Sequence, residues 1–137
     1  MFAARSPARD DGMAPGKLEG KAIVLVEDEY LIADVLRSAL ELEGARVLGP
    51  YPSVDTALKS SERLTEADVA VLDVNLKGGH VYPLVDHLMT QGIPVVLTTG
   101  YDADSIPSAY AHLPRLLKPI LSRELVECIR NVIADAD

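Results

Sequence analysis

Val69-Ala70-Val71-Leu72-Asp73 is an apolar run closed by one carboxylate, and Val74-Asn75-Leu76-Lys77-Gly78-Gly79 follows it as a glycine-rich turn. Four hydrophobic residues in a row suit a strand buried on both faces. Open α/β sheets carry their sites at the carboxyl ends of such strands. Asp73 is therefore the first candidate for chemistry. An aspartate in this place also commonly forms a turn or caps a helix, and the ends of the other strands decide between the two.

Working outward, 21–26 (Lys-Ala-Ile-Val-Leu-Val) reads as another buried strand, with Glu27-Asp28-Glu29 directly behind it. From 30 to 43 the apolar residues Leu31, Ile32, Val35, Leu36, Ala39, Leu40 and Leu42 recur at helical spacing, and Gly44 suits the C-cap. A short strand over 45–49 is expected to stop at Pro50 and Pro52. Ser53 can cap a second helix carrying Val54, Ala57 and Leu58. Beyond Asp73 a helix is expected over 81–91, with Pro83 tolerated in its first turn, and then a β-branched strand over 93–99. Residues 102–113 are ambiguous, because Pro107 permits helix only from about its own position onward. Arg115-Leu116-Leu117-Lys118 is the fifth strand and Ser122 starts the last helix. Strands alternating with helical patterns at this spacing give a parallel sheet with helices on both faces. Residues 1–20, with Pro7, Pro15, Gly12, Gly16 and Gly20 and little apolar periodicity, are expected to be a disordered extension. The folded domain is expected over 21–137.

The residues ending the core strands are Glu27 and Asp28, Asp73, Thr99 and Lys118. A parallel sheet sets these ends along one edge. Clustered carboxylates repel and call for a cation, and carboxylate oxygens with room for water suit Mg²⁺. A lysine and a hydroxyl beside them suit a phosphoryl group, and an aspartate can be the nucleophile. Taken singly, the acids could serve the helix that follows, Thr99 could be a strand former, and Lys118 a solvated lysine. Their coincidence at four strand ends favours a site.

The motifs Val24-Leu25-Val26-Glu27-Asp28-Glu29, Val71-Leu72-Asp73-Val74-Asn75-Leu76, Leu97-Thr98-Thr99-Gly100 and Leu117-Lys118-Pro119 resemble those of response-regulator receiver domains, the phosphoacceptors of two-component signalling. The resemblance runs from Lys21 to about Ala134. It implies a single doubly wound α/β fold, flavodoxin-like, with a five-stranded parallel sheet in the order 2-1-3-4-5. It makes Asp73 the phosphorylated residue. Glu27, Asp28, Asp73 and Asn75 would hold Mg²⁺, Asp28 directly, Glu27 through water and Asn75 through its backbone carbonyl. Thr99 and Lys118 would contact the phosphoryl group, and the Lys118-Pro119 bond would be cis. Its donor would be a sensor histidine kinase or a phosphotransfer protein, and its output a protein target not identified by the sequence. The chain departs from the usual pattern at Arg115, where an aromatic switch residue is expected, at Gly100, and at Gly78-Gly79, where a proline is usual. The wording around Asp73 and Thr99 looks like stand-alone receivers of alphaproteobacteria, which often work with HWE-type kinases. Tyr101, two residues past Thr99, could serve as the aromatic gate instead or cover the site, and the covering role is favoured.

A net charge of −8 argues against direct contact with nucleic acid. No apolar run approaches the roughly 20 residues that cross a bilayer, and the start lacks a secretory pattern. One cysteine, Cys128, leaves no disulfide framework, so the cytoplasm is the expected compartment. Cys128 itself reads as a packed thiol, and His80, His87 and His112 as surface or helix-edge residues. No output domain is expected, so the role is adaptor or phosphoryl sink and not that of an enzyme acting on other substrates. A phosphorylation-independent interaction module is the alternative. A phosphohydrolase is disfavoured by Asn75, which stands where such enzymes usually carry a second aspartate. Cofactor binding is disfavoured by the acidic loop after the first strand.

Overall fold

A computed structural model describes residues 16–100 and 106–136 of the chain. Strands β1 (Ala22–Val26), β2 (Arg46–Tyr51), β3 (Val69–Asp73), β4 (Val95–Thr99) and β5 (Arg115–Leu117) form one parallel sheet in the order β2-β1-β3-β4-β5. The helices are α1 (Tyr30–Leu42), α2 (Val54–Lys59), α3 (Ser61–Leu64), α4 (Tyr82–Thr90) and α5 (Ser122–Ala136). Fold class and strand order are those expected.

The unbroken apolar runs follow from burial on both faces. Ile23, Leu25, Val69, Val71 and Val96 pack with Leu36 and Leu40 of α1 and with Leu125, Val126 and Ile129 of α5. Their neighbours Val24, Val26, Ala70, Leu72, Val95 and Leu97 pack on the other side, against Ala57, Leu64, Leu84, Val85 and Leu88. Successive strand residues therefore feed opposite layers, and neither layer leaves a place for a polar side chain. The first polar positions come where the strands run out, at Glu27, Asp73, Thr98 and Thr99, all of them buried.

Several expectations need correction. The second strand does not stop at Gly49. It continues through Pro50 to Tyr51, and the Tyr51 carbonyl accepts from Glu27 N–H at 3.0 Å. An edge strand tolerates proline because one of its sides needs no ladder donor, and the register with β1 shifts here between Val24 and Val26. Gly49 makes this possible: at φ +101° a side chain would place Cβ 2.6 Å from Tyr51 N and 2.8 Å from Leu25 O. The second helix is two short ones. Ser53 caps α2 reciprocally with Thr56, and the helix breaks at Ser60 before α3. Within 102–113 the described residues hold only a 3₁₀ turn, Ser108–Tyr110, and Tyr101 lies outside them. Both Gly49-Pro50 and Lys118-Pro119 are cis, the second as the resemblance implied.

The folded unit also reaches further back than residue 21. Leu18 is 1% exposed and joins the α1–α5 layer. Its N–H donates to Glu43 O at 2.9 Å, and Gly20 N–H donates to Gly44 O. Residues 1–15 of the expected extension lie outside the described residues. Leu18→Ala is therefore expected to lower unfolding free energy by about 2–4 kcal/mol in urea titration. Leu42→Ala, at a side chain 76% exposed, should change it by less than about 0.5 kcal/mol.

Candidate functional site

Parallel register delivers four strand ends to one edge. Val26 pairs with Leu72, Asp73 with Thr98 and Thr99 with Leu117, so Glu27, Asp73, Thr99 and Lys118 emerge side by side. Lys118 Nζ lies 3.0 Å from Asp73 Oδ2 and 3.0 Å from Glu27 Oε1. Carboxylate oxygens of Glu27, Asp28 and Asp73 all lie within 4.8 Å of one another. The acids expected to converge do so, with the lysine among them.

Backbone donors fix each carboxylate. Asn75 N–H donates to Asp73 Oδ1 at 2.8 Å, Lys77 N–H to Asp28 Oδ2 at 2.9 Å, and Glu29 N–H to Glu27 Oε2 at 3.0 Å. Glu29, at the N-cap of α1, makes no capping bond with its side chain; Glu27 instead accepts from its N–H while facing Lys118 with its other oxygen. Thr99 is buried at the edge but is not on Asp73; its Oγ1 donates only weakly, at 3.4 Å, to Gly100 O. That long bond leaves the hydroxyl cheap to redirect. The side chain of Asn75 has a role the sequence reading missed: its Oδ1 accepts from Gly100 N–H at 3.2 Å and ties the Asp73 loop to the exit of β4. An asparagine two residues past a strand carries no local signal for that bond.

The electrostatics leave the cluster under-neutralised. Burial pushes the Glu27 carboxyl up, the Asp73 charge adds to this, and the Glu29 N–H and Lys118 oppose it. Burial acts to lower the Lys118 ammonium, but its bonds to Asp73 and Glu27 outweigh that and raise it. Lys118 is thus charged at neutral pH, one cation among three acids. Glu27 Oε1 is buried and receives no aligned hydrogen bond despite its ionic contact with Lys118. Three clustered acids that share one ammonium and three backbone N–H groups fit a hard divalent cation. His80, His87 and His112 contribute nothing to the acid cluster, and Cys128 is half-buried with its thiol pushed up by burial.

No protein-family model matches the chain. The solution structure of SdrG from Sphingomonas melonis Fr1 superposes with a TM-score of 0.69 at 32% identity, covering 90% of this chain and 98% of that one. The crystal structure of a CheY-like response regulator receiver domain protein from Methanospirillum hungatei JF-1 gives 0.73 at 26% identity, over 85% and 95%. The chain belongs to the response-regulator receiver family. This receiver is also 29% identical over 120 residues to an uncharacterized transcriptional regulatory protein, YbdJ, of Bacillus subtilis (strain 168). It spans about half of that relative, 52% of its length, and 85% of itself is covered. Among the described residues no helix is long and apolar enough to cross a membrane.

In metal-free buffer, Lys118→Met should destabilise this receiver by about 2–4 kcal/mol, because two buried carboxylates lose their shared cation. Glu27 already titrates above its ordinary 4.5, and removing the ammonium raises it further. A raised acid binds its proton more tightly when folded, so the mutant's stability should rise as pH is lowered toward about 5. Thermal melts across that range check both sign and size.

Proposed function

We propose that this receiver accepts a phosphoryl group on Asp73 from the phosphohistidine of a sensor histidine kinase or phosphotransfer protein, with Mg²⁺ in the acid cluster. The observation that carries the reading is the Lys118 ammonium shared at 3.0 Å by Asp73 and Glu27, with Asp28 completing the triad of acids. An oxygen of Asp73 attacks phosphorus, the bond from phosphorus to the donor nitrogen breaks, and the imidazole leaves with its electron pair. Asp73 is buried and fixed by the Asn75 N–H, so the attacking carboxylate is positioned before the donor arrives. Lys118 follows one phosphoryl oxygen, and Thr99 trades its weak bond to Gly100 O for another. Glu27, Asp28, Asp73 and the carbonyl of Asn75 are the groups that would hold the metal. When bound, Mg²⁺ supplies the positive charge that the acids and the phosphoryl oxygens lack.

The donor has a surface to rest on. Leu31, Ile32 and Val35 of α1 face Pro119 and Ile120 across an apolar groove of ≈ 270 Å³ that includes Lys118. Leu31 and Val35 are 76% and 58% exposed. An amphipathic helix laid there would bring a histidine on its surface to the acid cluster. The likeness to alphaproteobacterial receivers favours a kinase of the HWE type. The receiver unit is taken as residues 21–137, with the Gly16–Gly20 turn packed onto it, and its output as protein contact or phosphoryl drainage in the cytoplasm.

Acetyl phosphate with Mg²⁺, followed by intact mass, tests the assignment. Wild type should gain one phosphoryl group, and Asp73→Asn or addition of EDTA should abolish the gain. Retention of the adduct in Asp73→Asn would place the phosphoryl group elsewhere. No adduct in wild type with acetyl phosphate or a phosphorylated kinase would favour a module that binds its partner without phosphorylation.

A further inference from the structure

Arg115 stands where the family's aromatic switch is expected, and the structure shows what occupies that region instead. Tyr82, the first residue of α4, stacks on Tyr110 with ring centroids 4.5 Å apart and planes 21° from parallel. Tyr110 Oη donates to Asp86 Oδ1 at 2.8 Å. Asp86 is one turn beyond Tyr82 on the same helix face, so Tyr110 is held to α4 by ring and hydroxyl together. On the other side, Arg115 Nη2 donates to Ala111 O at 2.7 Å. The guanidinium is also close enough to Tyr82 to oppose the upward push of burial on its phenol.

These contacts span three elements: α4, the Ser108–Tyr110 turn and β5. The strand that carries Arg115 also leads into Lys118. It has three residues, pairs Leu97 with Arg115 and Thr99 with Leu117, and Lys118 N–H donates to Thr99 O at 2.8 Å. Both groups that would meet a phosphoryl oxygen, Lys118 and Thr99, therefore lie at one end of a short ladder whose other end holds Arg115. A displacement of Lys118 toward a new anion would pass along this ladder to the Arg115–Ala111 bond. The Tyr110–Asp86 bond is at the surface, while Ile106 and Leu113, buried on either side of the turn, anchor its ends; opening at that bond therefore leaves the core packing of the stretch in place.

We propose that Tyr82, Asp86, Tyr110 and Arg115 form a latch, closed in the unmodified receiver and opened when Asp73 carries a phosphoryl group. The proposal rests on Asp73 as phosphoacceptor. The latch takes over the reporting task of the missing aromatic residue: the buried acid site is read out as freedom of the Ser108–Leu113 stretch. Contiguity of contacts suggests coupling, and only a change at one end measured from the other demonstrates it.

Because coupling is reciprocal for equilibrium binding, a noncovalent phosphoryl mimic is the suitable probe. Beryllofluoride with Mg²⁺ would be titrated into wild type, Asp86→Ala and Tyr110→Phe, with the Tyr ring and Asn75 amide signals followed by NMR. The chain has five tyrosines and no tryptophan, so the ring signals can be separated. Expected are a shift of the Asn75 amide, loss of the Tyr82–Tyr110 ring contact, and binding about fivefold tighter in both latch variants. If Asn75 shifts while the ring contact and the affinities stay unchanged, the latch is overturned and the Asp73 assignment stands. If Asn75 does not shift at saturating mimic, the Asp73 assignment fails and takes the latch with it.

Discussion

One ammonium held between two buried carboxylates, with a third close by, is the constraint on which the rest of the structure depends. Lys118 lies 3.0 Å from both Asp73 and Glu27, and each of those acids is almost fully shielded from water. Like charges at such separations cost several kcal/mol in a medium less polar than water. The fold tolerates them because three backbone N–H groups and Lys118 share the load. That compensation is incomplete in charge, because one ammonium stands among three acids. A site short of positive charge suits the cation and the phosphoryl group of the proposed function.

The two apolar layers hold that arrangement in place. Strands buried on both faces cannot slide by one residue without exchanging their layers, so register is strongly specified. Glu27, Asp73 and Lys118 follow directly in register from Val26, Leu72 and Leu117. Precision at the site is thus inherited from packing beneath it. The surface around β5 is different. Leu117 and Leu121 are more than half exposed, and the 3₁₀ turn is tied to its surroundings by the Tyr82–Tyr110 stack and by surface polar contacts.

What was legible in the sequence divides along the same line. Val69–Asp73 could be read because burial on both faces demands an unbroken apolar run, and the site could be read because parallel strands end on one edge. The continuation of β2 was not legible: Gly49-Pro50 looks like a stop, and only the edge position makes it compatible with a strand. Leu18 was missed because a lone leucine between glycines and charges carries no periodicity; its burial depends on where α1 and α5 leave a gap. The Tyr82–Tyr110 stack joins residues distant in sequence, and neither one's surroundings announce the other. The side-chain bond of Asn75 to Gly100 is of the same kind.

A divalent cation held by the three acids of this hollow would be felt at the amides that bond them. Titrating Mg²⁺ while following the amide resonances of Glu29, Asn75 and Lys77, whose N–H groups hold Glu27, Asp73 and Asp28, tests it most directly. All three are expected to move together along one saturable curve, and Asp28→Asn to weaken binding about tenfold or more. Amides that stay still at saturating Mg²⁺, or shifts confined to surface acids such as Glu62 and Glu66, would contradict it.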